Sequence, residues 1–281
     1  MSELTVAAIP IFAMSMALEA YVLYRSPTAY KAADTLTSLS GGVGSVLMNA
    51  LVQPVRFAIY TMLYSHRIAD LGTGVLGAIA LLFAEDFCFY AYHRTCHSTR
   101  FFWAAHQVHH SSESYNLSTA LRQSWTAPIV GMLFWLPLAV LGFRPEQVML
   151  ASSISLLYQY VLHTETVRTL GPLELLMNTP SHHRVHHGSN TQYLDRNHGG
   201  IFILWDRLFG TFEPEVAPPV YGLTKPVASF NPVYVQLCEF QKIFWDVVES
   251  RSLASGFHAV FRSPSYQGPA PEIAPQPTVA I

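Results

Sequence analysis

Thirteen histidines occur in the 281-residue chain, and eleven of them fall between His93 and His198. The first cluster is His93-Arg-Thr-Cys-His97, an i,i+4 pair. The second is His106-Gln-Val-His109-His110, and the third, His182-His183-Arg-Val-His186-His187, repeats the HxxHH spacing of the second. Residues three and four apart share one face of a helix, so each cluster is expected to present two or three imidazoles to one point. With His163, three converging clusters supply enough nitrogen for two metal ions that keep positions open. Imidazoles crowded together without a metal suffer repulsion and desolvation that metal binding removes. His66 and His258 lack a histidine at helical spacing and are read as ordinary surface or hydrogen-bonded side chains.

Imidazole suits zinc, copper, iron and nickel. The HExxH signature of catalytic zinc is absent, as is the Glu-x-x-His of soluble carboxylate di-iron bundles. Eight or more histidines exceed one zinc site and point to a dinuclear redox centre. Asp86 stands seven residues before His93, nearly on the same helix face, and is expected to accept a histidine N–H; the competing reading pairs Glu85 or Asp86 with Arg56. Asp195, Asn197 and Asp206 are further candidates for orienting ligands, with turn formation or capping as the alternative.

The elements that must carry these residues are apolar. Hydrophobic residues make up 51% of the chain and charged ones only 12%, about half the usual share of a soluble domain. Crossing a bilayer takes about 20 apolar residues. Residues 4–24, 42–64 (with Pro54 and Arg56), 73–92 (with Glu85 and Asp86) and 126–143 qualify, and 148–162 is uncharged but short. Four or five spans follow, the last two as a hairpin or a re-entrant pair. Placing the exit of the third span in the cytoplasm puts Arg25, Lys31, Arg94, Arg100 and Arg122 there and leaves only Arg67 and Arg144 in opposite loops. That satisfies the positive-inside rule with the N-terminus outside. The opening Met1-Ser2-Glu3 has no basic stretch, so the first apolar segment reads as retained. Residues 233–261 read as a helix in the membrane interface or as a packing helix. Residues 263–281, with five prolines, read as a disordered tail. The net charge of −2 argues against nucleic acid as a partner, and Cys88, Cys96 and Cys238 show no paired spacing, which fits a reducing compartment.

Longer stretches of text carry a resemblance. They are Asp86-Phe-Cys-Phe-Tyr-Ala-Tyr-His93-Arg-Thr-Cys-His97, then Ala105-His106-Gln-Val-His109-His110 onward to Arg122-Gln123. The match resumes at His163-Thr-Glu165, Asn178-Thr-Pro-Ser-His182-His183-Arg-Val-His186-His187-Gly188 and Trp205-Asp206-Arg-Leu-Phe-Gly210. At these residues the chain resembles the fatty acid hydroxylase/sterol desaturase superfamily of membrane di-iron enzymes, nearest to its alkylglycerol monooxygenase branch. The likeness covers residues 84–226. It departs at His198, where tyrosine is usual, and at Ser98, where an acidic residue is common.

The resemblance implies one membrane domain over residues 1–262, all-α, with a cytoplasmic helical cap holding the di-iron site. It implies His93, His97, His106, His109, His110, His163, His183, His186 and His187 as ligands, with His182 added, and Asp86, Asp195 and Asn197 remain the candidates, read from their positions, for orienting them. The implied activity is oxygen-dependent hydroxylation of a lipid C–H bond, such as the ether-adjacent carbon of an alkylglycerol. Sterol or fatty acyl hydroxylation or desaturation is the alternative. Two irons, oxygen, and an electron source (tetrahydrobiopterin, a ferredoxin or a cytochrome) are the expected partners. From other classes, a haem-bearing electron carrier would also pair histidines, and a metal or proton transporter would spread them along the spans; here they gather at one membrane face.

Overall fold

The computed structural model describes residues 4, 7–25, 30–71 and 74–264. These residues form helices and connecting loops with no strand; the only sheet-like contacts among them are two isolated bridges, Met177–Phe202 and Gly188–Tyr221. The expected disordered tail lies, from residue 265 on, outside the described residues.

Among the described residues, two helices are long and apolar enough to cross a membrane. Helix α2 (Ala32–Tyr64) has 33 residues and α3 (Val75–Ser98) has 24. Little of the most apolar stretch of α2 is buried, so its Val43, Leu47, Leu51 and Val55 face outward. Pro54 lies inside α2, which continues past it to Tyr64. Helix α1 (Ile9–Val22) is 14 residues long, shorter than the sequence pattern suggested.

The expected span over 126–143 is a broken helix. It runs as α5 (Ala127–Val130), a 3-10 stretch (Gly131–Trp135) and α6 (Leu136–Leu141). Pro128 and Pro137 remove backbone donors and Gly131 lowers helix propensity, which accounts for the tightening between them. After a left-handed Gly142 (φ 112°) the chain enters α7 (Pro145–Tyr160). The two arms form a hairpin, and backbone bonds from Ile68 N to Val140 O and Leu71 N to Gly142 O hold its tip beside the end of α2. At 16 residues, α7 rises about 24 Å, short of a full crossing. Tyr60, Leu81, Cys88, Leu138, Ala139, Phe143 and Val148 form the apolar core between α2, α3 and the hairpin.

Thr99, in extended conformation, ends α3 and caps the start of α4 (Arg100–His110), so the two helices fold against each other. Buried ion pairs fasten α4. Arg122 meets Asp34 at the start of α2 (3.1 Å) and donates to Val108 O and Ser111 Oγ. Arg100 meets Glu239 (2.9 Å) and Asp246 (2.5 Å). Beyond the short α8 (Pro180–His186) and α9 (Leu204–Phe209), those acids lie on α10 (Pro232–Val248), which Asn231 caps. A turn at 249–252 separates α10 from α11 (Leu253–Phe261), so the segment expected as one helix is two. One side packs on α4, while Phe244, Trp245, Leu253 and Phe257 are exposed. The packing reading of this segment is met on the side that faces α4.

Close approach fixes glycine at Gly44 of α2: a Cβ there would lie 2.0 Å from the Trp125 indole nitrogen. The segment carrying the first HxxHH into the hairpin thus lies directly on α2.

Candidate metal centre

Histidines from four parts of the chain converge. His93 and His97 come from the last turns of α3, and His106, His109 and His110 from α4. His163 follows α7, and the rest lie on or beside α8 (Pro180–His186). They separate into two groups with ligand atoms mutually within 4.8 Å: His93, His97, His106, His110 and His186 in one, and His109, His163, His183 and His187 in the other.

The division cuts across the sequence clusters. His106 and His110 turn to the first group while His109 turns to the second; His186 joins the first while His183 and His187 join the second. The expectation that each cluster faces one point holds for i,i+4 pairs only. Residues four apart differ by about 40° around a helix, whereas adjacent ones differ by about 100°. The motif therefore builds two sites at once. The His110 and His187 rings, 4.4 Å apart and nearly parallel, form part of the wall between the groups.

Within the first group the Nε2 atoms of His93 and His106 lie 3.0 Å apart, those of His106 and His110 3.1 Å, and those of His110 and His186 3.1 Å. In the second, His163 lies 3.1 Å from His109 and 3.0 Å from His183, and His183 lies 3.2 Å from His187. Two nitrogens at right angles on one ion, each at the ~2.1 Å typical of imidazole–metal bonds, are about 3.0 Å apart. The spacing fits shared coordination.

The far ring nitrogens support this. Nδ1 of His93 donates to His198 O (2.8 Å), that of His163 to Gln159 O (2.9 Å) and that of His186 to Arg196 O (2.9 Å). A neutral imidazole carries one proton, so these three rings turn a bare lone pair inward. Asp195 Oδ1 stands 3.3 Å from His97 Nδ1, and the buried His97 Nε2 has no hydrogen-bond partner among the described residues. Lone pairs meeting lone pairs in a buried cluster call for a cation. Burial, reinforced by neighbouring imidazoles, holds His106, His110, His183, His186 and His187 well below the ordinary histidine value, and burial lowers His163 to about 4.

One expected ligand, His182, stands elsewhere, as does His198, the position where the resemblance departs. His182 lies in neither group; one position before His183, its ring points away and packs edge-on against Phe212 (5.4 Å). His198 also lies in neither group; its Nε2 donates to Asp195 O (3.1 Å), and its backbone carbonyl holds His93.

Asp86 takes a different partner from the one expected. Its carboxylate accepts from Ile201 N (2.6 Å), Phe202 N (3.1 Å) and Trp205 Nε1 (2.9 Å), and not from His93. The carboxylate fixes the loop that supplies the His198 carbonyl. A Cβ at Gly200 would sit 2.7 Å from Asp86 Oδ1, so this approach requires glycine. Asp206 fastens the same loop through His198 N and Gly199 N (both 2.7 Å). Asn197, at φ 55°, donates to His182 O and Glu213 O. Arg56 donates to Asn49 (2.9 Å) and makes no ion pair with Glu85 or Asp86 among the described residues. The carbonyls of Gln159, Arg196 and His198 leave no trace in residue type, so no sequence signal marks them.

A cavity of about 280 Å³ opens beside the histidines. His93, His106, His109 and His183 line it, together with Phe89, Tyr92, Met132 and Leu156. It continues along α2 and α3 to Arg56, Tyr60, Glu85 and Trp135. The histidine groups thus meet a space enclosed by the two long apolar helices and the hairpin.

The sequence model of the fatty acid hydroxylase family matches residues 78–211. The chain is 39% identical to human alkylglycerol monooxygenase over 264 residues, covering 92% of this chain and 59% of that protein. Against the alkylglycerol monooxygenase of Danio rerio it is 40% identical over 235 residues, 83% of this chain and 52% of the relative. A more distant match, human lathosterol oxidase, is 29% identical over 143 residues, 50% of this chain and 46% of the other. The chain thus spans about half the length of the relatives it matches. No solved structure matches it.

Proposed function

From the premise that residues 78–211 are a fatty acid hydroxylase segment, we propose that the protein is a membrane di-iron oxygenase that hydroxylates a lipid C–H bond. The observation that carries the reading is the pair of histidine groups with Nε2 atoms 3.0–3.2 Å apart at the head of a cavity between apolar helices. One iron is assigned to His93, His97, His106, His110 and His186, and the other to His109, His163, His183 and His187. Iron held there supplies the chemistry that reduces oxygen and oxidises an unactivated C–H bond.

The protein's own part is positional. The His198, Gln159 and Arg196 carbonyls keep His93, His163 and His186 in the tautomer with Nε2 bare. Asp195 orients His97, and Asn197 and Asp86 hold the loops that supply these acceptors. The cavity shields the reacting carbon from water and holds it next to the histidines.

Similarity to two alkylglycerol monooxygenases favours the ether-adjacent carbon of an alkylglycerol as the target. One oxygen atom enters that C–H bond and the other leaves as water, with two electrons from tetrahydrobiopterin, a ferredoxin or a cytochrome. The hydroxylated ether then collapses to aldehyde and glycerol. A sterol or fatty acyl substrate is the second reading, favoured by the likeness to lathosterol oxidase. We place residues 1–262 in one multi-pass membrane domain with the histidines on the cytoplasmic side, on the strength of the basic residues in the loops around them. The test supplies membranes containing the iron-loaded protein with an alkylglycerol, oxygen and each donor in turn, and measures fatty aldehyde. No aldehyde with any donor overturns the ether reading.

A further inference from the structure

The far part of the cavity is unlike a channel for hydrocarbon. Glu85 is buried at 1% exposure; its Oε1 accepts from Trp135 Nε1 (3.1 Å), the Ser152 and Ser155 hydroxyls also stabilise its carboxylate, and its buried Oε2 makes no hydrogen bond of normal length among the described residues. On the facing helix, one Arg56 nitrogen is used on Asn49, and its buried Nε likewise has no partner among the described residues. Both residues line the cavity, with Asn49 and Ser152 beside them. An unpaired buried donor or acceptor costs about 1–3 kcal/mol, and more for charged groups, so an alkyl chain laid here would leave both uncompensated.

We propose that this zone seats the hydroxyl-bearing head of the substrate, Glu85 Oε2 accepting from one hydroxyl and Arg56 Nε donating to another. The inference rests on the oxygenase reading for its term "substrate". Glu85 and Arg56 form no ion pair with each other, so the ligand must satisfy an acceptor and a donor at separate places. A hydroxyl both donates and accepts, and a head with two adjacent hydroxyls meets both groups. A carboxylate head brings no donor for Glu85, and a headless chain satisfies neither group.

The placement agrees with the position of the histidines. Glu85 precedes His93 by eight residues on α3, a rise of about 12 Å. A hydrogen bond followed by a glycerol unit covers much of that rise and brings the carbon beyond the ether oxygen toward the metal groups. The alkyl tail then leaves sideways past Leu156, which lines the cavity yet is 55% exposed on the apolar flank. Head-inward binding with the tail in the bilayer avoids dragging the hydrocarbon past these two polar groups.

The experiment measures equilibrium binding to full-length, iron-loaded protein in lipid nanodiscs under argon. The ligands are 1-O-hexadecylglycerol and its 2,3-di-O-methyl derivative, each referred to its mole fraction in the membrane. Wild-type protein is expected to prefer the diol by about tenfold or more, the loss of one hydrogen bond to a buried charged group. Glu85→Leu should remove most of that preference, Glu85→Gln, which keeps an acceptor, should retain part of it, and Arg56→Met, which removes a donor that an alcohol or an ether oxygen satisfies equally, should weaken both ligands alike. Equal binding of the two ligands by the wild type overturns the proposal, as does an unchanged preference in Glu85→Leu or an unchanged affinity for both ligands in Arg56→Met. The wild-type comparison decides even if a variant fails to fold. A protein that discriminates under argon but releases no aldehyde in air overturns the ether reading and leaves this inference standing. One that oxidises both ligands equally overturns this inference alone.

Discussion

His93 and His198 are joined by a hydrogen bond of 2.8 Å from the imidazole Nδ1 of the first to the backbone carbonyl of the second. The His198 loop is in turn held by Asp206 through His198 N and Gly199 N, and by Asp86 through Ile201 N and Phe202 N. One ring of the histidine cluster is therefore aimed by two carboxylates that hydrogen-bond to no histidine ring among the described residues.

Asp86→Ala should lower stability by about 3 kcal/mol or more, because three donors lose a buried charged acceptor. Thermal melting and iron content should fall together. An unchanged melting temperature would show that the loop does not depend on this carboxylate.

Metal stoichiometry should follow the two groups. His110→Ala and His183→Ala are each expected to lose about one of two irons per chain and all oxygenase turnover, while His182→Ala, His66→Ala and His258→Ala keep both. Iron assay after gel filtration reads this directly. Loss of iron in His182→Ala would return that residue to the ligand set.

Acid should unfold the metal-free protein. Burial lowers His163 to about 4, and the neighbouring histidines also titrate below their ordinary value, so the unfolded chain takes up protons that the folded chain refuses. Stability is fully present above the unfolded value near 6.5 and is lost as pH falls toward 4. Melting curves of the chelated protein between pH 8 and 5 check the sign, since a rise on acidification contradicts it.

Asp34→Ala leaves Arg122 buried without its carboxylate partner and should cost about 3–5 kcal/mol. Restoring a neutral site with Arg122→Met in the same chain should recover part of the loss, as a double-mutant cycle would reveal.

A reporter fused after Pro226 should lie in the cytoplasm, as the basic loops require. A signal from the opposite side would place the histidines outside the reducing compartment.

The histidines were legible because a metal site needs particular side chains at helical spacing, and His93, His97, His109 and His183 declare themselves by type. Their partition into two groups was not, since the HxxHH text does not say that His109 faces away from His106 and His110. The partners of Asp86 were misread for a related reason: backbone N–H groups of Ile201 and Phe202, over a hundred residues away, carry no side-chain signature. Helix α3 was evident from its apolar length, whereas residues 126–143 met the same test and proved broken, because Pro128 and Pro137 outweigh hydropathy locally.

The interleaving of the two groups along α4 and α8 also bears on which changes of chain length the protein can survive. An inserted residue turns everything beyond it by about 100° around the helix. Placed between His106 and His109, it would swing His109 and His110 away from their separate groups in one stroke; between His183 and His186 it would do the same on the other side. Neither group can be lengthened or trimmed while its neighbour is spared. Insertions and deletions in these two helices should therefore be lethal to the whole centre, whereas the turn at residues 249–252, which touches no histidine of either group, can absorb them.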